Sequence, residues 1–326
     1  MSVNLETYQI PDFESISGIK QDVHLTYRIY GCALHSAPII LVNHALTGNS
    51  DLESWWFEMV GPDKPLDTNR FTLLTIDLPG NGHDRDVDHL VYNYKDWNLG
   101  DVARAFVRLF EHLGIRQFHL GIGGSIGGAL LWELLAIEPS LFKTIVPIAA
   151  DWKATDWLIA CCYVQEQILS TSSAPLETAR KHAMTFYRSP QSLKHKFQRA
   201  QVNDQFKVNA WLDHHGKILK SRFTLPAYRL VNHLLQSTDA ARSHKSIDEV
   251  VGNTETQVHL VAIDSDGFFV PQEDRDTHQR FRDTGKVHYY EIKSLHGHDA
   301  FLIEHDQVSH IINQILATVV VENPVV

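Results

Sequence analysis

Cysteine is scarce in this chain: Cys32 and the adjacent Cys161 and Cys162 are all there are in 326 residues. They offer neither a disulfide framework nor metal-ligand spacing, and the scarcity agrees with a reducing compartment. Long apolar runs are lacking too, since no window approaches the roughly 18 residues of a membrane-spanning helix. The N-terminal segment MSVNLETYQIPDFESISG has neither a basic leader nor an apolar signal core. Neither membrane insertion nor secretion is expected, and the expected location is the cytoplasm. Positive charge is thin, with 29 lysines and arginines against 39 aspartates and glutamates, a net charge of −10. No basic run could track a phosphate backbone, so nucleic acid and anionic membranes are set aside as partners, whereas small anionic substrates are not.

What is present is material for one large α/β core. VHLTYRIY, PIILVN, FTLLTI, FHLGIGG and TIVPIA read as strands, and the helix-period stretches between them point to a mainly parallel sheet covered on both faces. DVARAFVRLFEHLG places Val102, Ala105, Phe106, Leu109, Phe110 and Leu113 on one helical face and stops at Gly114. From 153 to 247 no convincing strand appears; ATDWLIACCYVQEQIL, APLETARKHAMTFY, SPQSLKHKFQRA and LPAYRLVNHLLQST look helical instead. QVHLVAI and VHYYEI then restore strands and VSHIINQILATVV closes with a helix. The expected architecture is a core from 1–152 and 248–326, interrupted by a helical lid at 153–247.

The most informative segment runs from an apolar strand through Gly123-Gly124-Ser125-Ile126-Gly127-Gly128 directly into a helix. Glycine two before and two after Ser125 is the G-x-S-x-G pattern of a strained strand-to-helix turn, which exposes the serine at its tip. The helix N-terminus beneath supplies free N–H groups where an oxyanion would form. A glycine-rich phosphate loop is the rival reading, but the Lys-Ser/Thr ending of a P-loop is missing.

A serine needs a histidine to take its proton and a carboxylate to orient that histidine. QVHLVAI ends in Asp264-Ser265-Asp266, and further on stands His296-Gly297-His298-Asp299, so the order serine, acid, histidine is met with two candidates for each partner. His296 and His298 could also form an H-x-H metal pair, yet no further ligand set accompanies them and no metal is expected.

These segments, taken together, resemble the homoserine O-acyltransferases of the α/β-hydrolase superfamily. LVNHALTGNSDLESWWFEMVGPDKPLDTNRF is similar to that family's H-A-L-T-G, W-W and G-P-G-K-x-L-D-T segments, and GIGGSIGG to its G-G-S-M-G-G turn. LETARKHAMTFYRSPQSLKHKF and FKVNAWLDHHGKILKSRFTLPAYRLV resemble its lid stretches, while DSDGFFVP and GHDAFL close the match. The resemblance implies an α/β-hydrolase fold and a triad of Ser125, Asp266 and His298. It also implies Arg180 for an amino acid's carboxylate, Asp299 for its ammonium and Tyr187 lining the pocket. The expected activity is acyl-CoA-dependent O-acylation, with acetyl-CoA as donor substrate and L-homoserine as acceptor, by a ping-pong mechanism that serves methionine biosynthesis. Backbone N–H groups of Leu46 and Ile126 would form the oxyanion hole. No bound cofactor is expected, and the family implies a homodimer.

Each of these binding assignments has a plainer reading: Arg180 as a surface partner of Glu177, Asp299 as a helix cap, Tyr187 as packing. The chain also departs from the family after FTLLTI, where Asp77-Leu78-Pro79-Gly80-Asn81-Gly82-His83 is closer to the turn of ordinary hydrolases, and in the lid at Trp211 and His214-His215. The alternative activity is therefore an esterase or thioesterase using the same triad with water as acceptor; a non-catalytic binding protein is a further alternative.

Overall fold

The structure is a computed structural model in which residues 3–319 are described. Its central sheet has eight strands in the order β1-β2-β4-β3-β5-β6-β7-β8. In chain order these are β1 (Glu6–Glu14), β2 (Lys20–Gly31), β3 (Ile39–Asn43), β4 (Thr72–Ile76), β5 (Leu120–Gly124), β6 (Thr144–Ile148), β7 (Gln257–Ile263) and β8 (Val287–Ile292). Strands β3 to β8 pair in parallel, while β2 runs antiparallel to both β1 and β4.

The strands read from the sequence are all present within three residues of their ends. Edge strand β1 escapes that reading because Pro11 and the register break between Ile10 and Phe13 interrupt its alternation, leaving only those two side chains buried in the strand. The helix read at DVARAFVRLFEHLG is α1 (Leu99–His112), opened by a capping box in which Asn98 and Asp101 satisfy each other's backbone N–H. Next comes α2 (Ile126–Ile137), buried along almost its whole length because it packs against both the sheet and α1, with Asp239, Arg242 and His244 covering its polar positions.

Alternate residues of the parallel strands feed two cores. Leu41, Leu74 and Ile145 pack with α1 and α2 on one face. Ile40, Val42, Ile122 and Val261 pack on the other with α9 (His305–Thr318), through Val308, Ile311, Ile312 and Ile315.

Between β6 and β7 the chain forms α3 (Asp156–Thr171), α4 (Pro175–Tyr187), α5 (Pro190–Phe197), α6 (Lys207–Arg222) and α7 (Leu225–Gln236); α8 (Pro271–Phe281) follows β7. Helix α6, preceded by a small hairpin pairing Gln201–Val202 with Gln205–Phe206, is absent from the helical segments picked out by pattern alone. Its apolar stripe is thin: Val208, Trp211, Leu212 and Leu219 share a face, with Trp211 and Leu212 only partly buried, but His215 and Gly216 interrupt it and only Gly216 and Leu219 are fully buried. Gly216 permits its docking: a Cβ there would come within 2.9 Å of the Glu177 carbonyl oxygen on α4.

Candidate active site

Ser125 stands between β5 and α2 with φ 57° and ψ −129°, a conformation that costs a non-glycine residue on the order of 1–3 kcal/mol. Its neighbours hold it there. The Ser125 N–H donates to the Ile148 carbonyl at 2.9 Å, and its own carbonyl accepts from Gly128 and Ala129 in the first turn of α2. A Cβ on Gly123 would lie 2.6 Å from the Gly127 backbone, and one on Gly127 would lie 2.7 Å from the carbonyl oxygens of Asn43 and His44. The glycine spacing thus lets α2 close onto the end of β3, where the next loop begins.

That loop, 44–50, is pinned by its own His44, which the sequence places structurally beneath it with no catalytic role, and by groups remote in sequence. The Leu78 N–H donates to His44 Nε2 at 3.1 Å, so the ring hydrogen sits on Nδ1 and donates to the Ala45 carbonyl at 2.7 Å. Burial lowers the pKa of His44, consistent with a neutral, structural imidazole. Asp77, also buried, accepts from the Ser50 N–H at 2.7 Å, the Ser50 hydroxyl at 2.8 Å, Thr26 at 2.7 Å and Asn81 at 3.2 Å. The departure at 77–83 therefore ties β2, the 44–50 loop and its own turn together. From the lid, Arg222 Nη1 donates to the Thr47 carbonyl at 2.6 Å and Nη2 approaches Thr47 Oγ1 at 3.4 Å. Between these anchors lies Leu46. Neither its N–H nor that of Ile126 has an acceptor among the described residues, which leaves two buried donors beside the serine turn.

The two acid and two histidine candidates are separated by their contacts. Asp264 accepts from the Ser294 N–H at 2.9 Å and bridges the ends of β7 and β8. Asp266 is anchored through Oδ1 by the N–H groups of Phe268 and Phe269 at 2.7 and 3.0 Å, and its Oδ2 accepts from His298 Nδ1 at 2.7 Å. His296 is engaged by the lid instead: Arg188 Nη2, which can only donate, reaches its Nδ1 at 2.8 Å. The His298 ring stacks on Phe269 at 5.2 Å and is bordered by Phe268, Tyr187 and Phe301. Phe301 also fills the space beside the serine turn, since a Cβ on Gly124 would meet its ring at 2.5 Å. Ser125, Asp266 and His298 thus lie in the turns past the carboxyl ends of β5, β7 and β8, with the Phe301 ring beside both the serine turn and His298; among the described residues no hydrogen bond joins Ser125 Oγ to the imidazole. Among the described residues no group of three or more side chains could hold a metal ion.

The lid reaches the histidine loop directly. A Cβ on Gly297, at φ 73°, would clash with the Ser189 nitrogen at 2.7 Å, and the Ser189 hydroxyl donates to the Leu295 carbonyl. This contact brings α4 over His298. Glu177 pairs with Lys220 at 3.1 Å, not with Arg180. The Arg180 guanidinium lies 5.5 Å from the Tyr187 ring centroid and makes no hydrogen bond or ion pair among the described residues. Asp299 sits inside the short 3₁₀ turn Gly297–Leu302, whose N-cap is His296, so it is not the cap. Burial raises its pKa, opposed first by the charge of Arg180 and then by His298 and Arg188. Burial also pushes the Tyr187 hydroxyl well above its ordinary range. Further in, Asp151 and Asp274 are buried near Asp266, and burial raises both, with neighbouring carboxylates adding to the effect. Neither was selected from the sequence, because nothing local marks two aspartates 123 positions apart as neighbours.

The strained serine turn, the Asp–His pair and the two free amides at the carboxyl edge of a parallel sheet define a class, and residues 38–304 match the family model described as alpha/beta hydrolase fold. The chain belongs to that family. Among curated relatives, homoserine O-acetyltransferase of Trichormus variabilis is 30% identical, the match covering 96% of this chain and 94% of that one. Homoserine O-acetyltransferase of Cyclobacterium marinum is 28% identical over 84% and 83%. Among solved structures, homoserine O-acetyltransferase from Staphylococcus aureus superposes with a TM-score of 0.83 at 25% identity, covering 97% of this chain and 95% of that one. An acetylester hydrolase from Corynebacterium glutamicum has the same fold, with a TM-score of 0.84 at 17% identity over 97% and 96%. Within the α/β-hydrolase class, the chain belongs to the homoserine O-acetyltransferase family.

Proposed function

We propose that this chain transfers the acetyl group of acetyl-CoA to the hydroxyl of L-homoserine, with Ser125, Asp266 and His298 as triad. Asp266 holds the Nδ1–H of His298 and leaves Nε2 to take the Ser125 proton. Ser125 Oγ attacks the thioester carbonyl, and the oxyanion is held by the N–H groups of Leu46 and Ile126. Such a donor contributes on the order of 100- to 1,000-fold to turnover. The C–S bond then breaks and His298 returns its proton to the CoA sulfur. Homoserine enters, His298 takes its hydroxyl proton, and attack on the acyl-serine releases O-acetylhomoserine and restores the serine with that proton.

The observation that carries the choice of acceptor is the pair of unpartnered charges beside the histidine. A guanidinium with no hydrogen bond suits a carboxylate, and a carboxylate next to His298 suits an ammonium. Water as acceptor needs neither. The lid at 153–247 would then be the element that supplies Arg180 and Tyr187 and dries the site against hydrolysis. The same reading carries a homodimer in the cytoplasm, acting in methionine biosynthesis; no helix among the described residues is long and apolar enough to cross a membrane.

The test is CoA release from acetyl-CoA with and without L-homoserine, with Ser125→Ala as control. Release that depends strongly on homoserine and vanishes in the variant is expected. Release indifferent to homoserine, or none beside brisk cleavage of a simple ester, would leave a hydrolase.

A further inference from the structure

A second basin opens on the outer side of the oxyanion loop. It has a volume of about 580 Å³ and is lined by Thr47 and Gly48, by His83 and Arg85 of the turn after β4, and by Lys220 and Arg222 at the end of α6. Three of its lining residues are cationic and none is a carboxylate, in a chain whose net charge is −10. Neutralisation inside the basin is partial. Lys220 pairs with Glu177 at 3.1 Å, and Arg222 is committed to the Thr47 carbonyl. The exposed side chain of Arg85 has no hydrogen-bond or ion-pair partner among the described residues. Behind His83, Arg28 Nη1 lies 3.1 Å from Nε2; a guanidinium only donates, so Nδ1 carries the ring hydrogen and is a further donor.

We propose that this basin holds the phosphate-bearing end of the acyl donor. The proposal rests on the acyl-CoA reading above and extends it to a site that reading does not place. Thr47 directly follows Leu46, so the basin begins one residue from the proposed oxyanion donor, within reach of the long tail of a thioester held there. Two features fit a polyanionic tail: the size, which is that of a small-ligand site, and the concentration of cations on an otherwise acidic surface, which would draw in a multiply charged phosphate ester. A short thioester without phosphates would ignore it.

The experiment compares acetyl-CoA with S-acetyl-N-acetylcysteamine, the same thioester without the phosphorylated end, in the full-length enzyme and its Arg85→Glu and Arg85→Lys variants. Arg85→Glu is expected to raise KM for acetyl-CoA about tenfold at low salt with kcat unchanged, to leave both parameters for the short thioester unchanged, and to be rescued in Arg85→Lys. Equal effects on the two donors, or none on acetyl-CoA, overturn the proposal. Calorimetric binding of adenosine 3′,5′-bisphosphate to Ser125→Ala protein reads the basin without turnover. Binding weakened by the added Arg85→Glu change supports it even if homoserine proves not to be the acceptor; binding that is absent, or unaltered by that change, refutes it even if acetyl transfer is established.

Discussion

Arg180→Met separates the two half-reactions. Methionine keeps an unbranched apolar stem over Tyr187 and removes the fork that has no other partner. If that fork holds the homoserine carboxylate by two charge-assisted hydrogen bonds, each is worth about 1.5–3 kcal/mol. Arg180 is only half-buried, so screening by water reduces the pair to a net of about 3 kcal/mol, or roughly 150-fold in affinity. A second effect has the same sign. The charge of Arg180 is the main influence opposing the rise of the Asp299 pKa on burial; without it that pKa rises further, and less of the carboxylate remains at neutral pH to hold the ammonium. The expected loss in kcat/KM for homoserine is therefore about 100- to 1,000-fold. Acetylation of Ser125 does not use Arg180, so the burst of CoA release, and the acetyl adduct seen by intact-protein mass, should form at the wild-type rate. An unchanged KM for homoserine, or a burst lost in proportion to turnover, would show that Arg180 serves the fold or the donor rather than the acceptor.

Three further outcomes are expected. In Asp266→Asn the side-chain oxygen can still accept from Phe268 and Phe269, which turns the NH₂ toward His298 Nδ1, forces the hydrogen onto Nε2 and lowers kcat about 10,000-fold; stopped-flow acylation with retained thermal stability checks this. Arg222→Gln removes the lid's hold on the Thr47 carbonyl, so kcat should fall about tenfold with both long and short thioesters, and an unchanged kcat would mean that the oxyanion loop holds without the lid. Asp274→Asn addresses the buried acid pair. A carboxyl raised in the folded state binds its proton more tightly there than when unfolded, so wild-type stability falls as pH climbs above about 4 toward the folded value. The variant should therefore gain in Tm over the wild type as pH rises above about 4 and level off once the folded value is passed, whereas a gap independent of pH throughout would contradict the assigned cause.

What the sequence determined by itself is whatever local chemistry dictates. Glycines flanking Ser125 can be read because the turn needs them within one strand-to-helix junction; strands β3 to β7 can be read because buried parallel strands are continuous apolar runs, and β2 because Val23, Leu25 and Tyr27 alternate with polar residues. The order serine, acid, histidine followed from which runs end in polar loops, and the similarity of the lid segments carried the choice of acceptor. Between neighbours two residues apart spacing alone left the choice open; the family resemblance named Asp266 and His298, and the tertiary structure supplies the contacts that distinguish them. Asp266 faces His298 because two backbone amides turn its other oxygen away, and His296 is withdrawn because Arg188 reaches it from a different part of the chain. Helix α6 has an apolar stripe interrupted by His215 and Gly216, and strand β1 has its alternation broken between Ile10 and Phe13, so neither carries a clean period. The Arg222–Thr47 clamp joins residues 175 positions apart, and the Asp151–Asp274 pair is similarly remote. Such contacts depend on distance in space, which one-dimensional spacing does not encode.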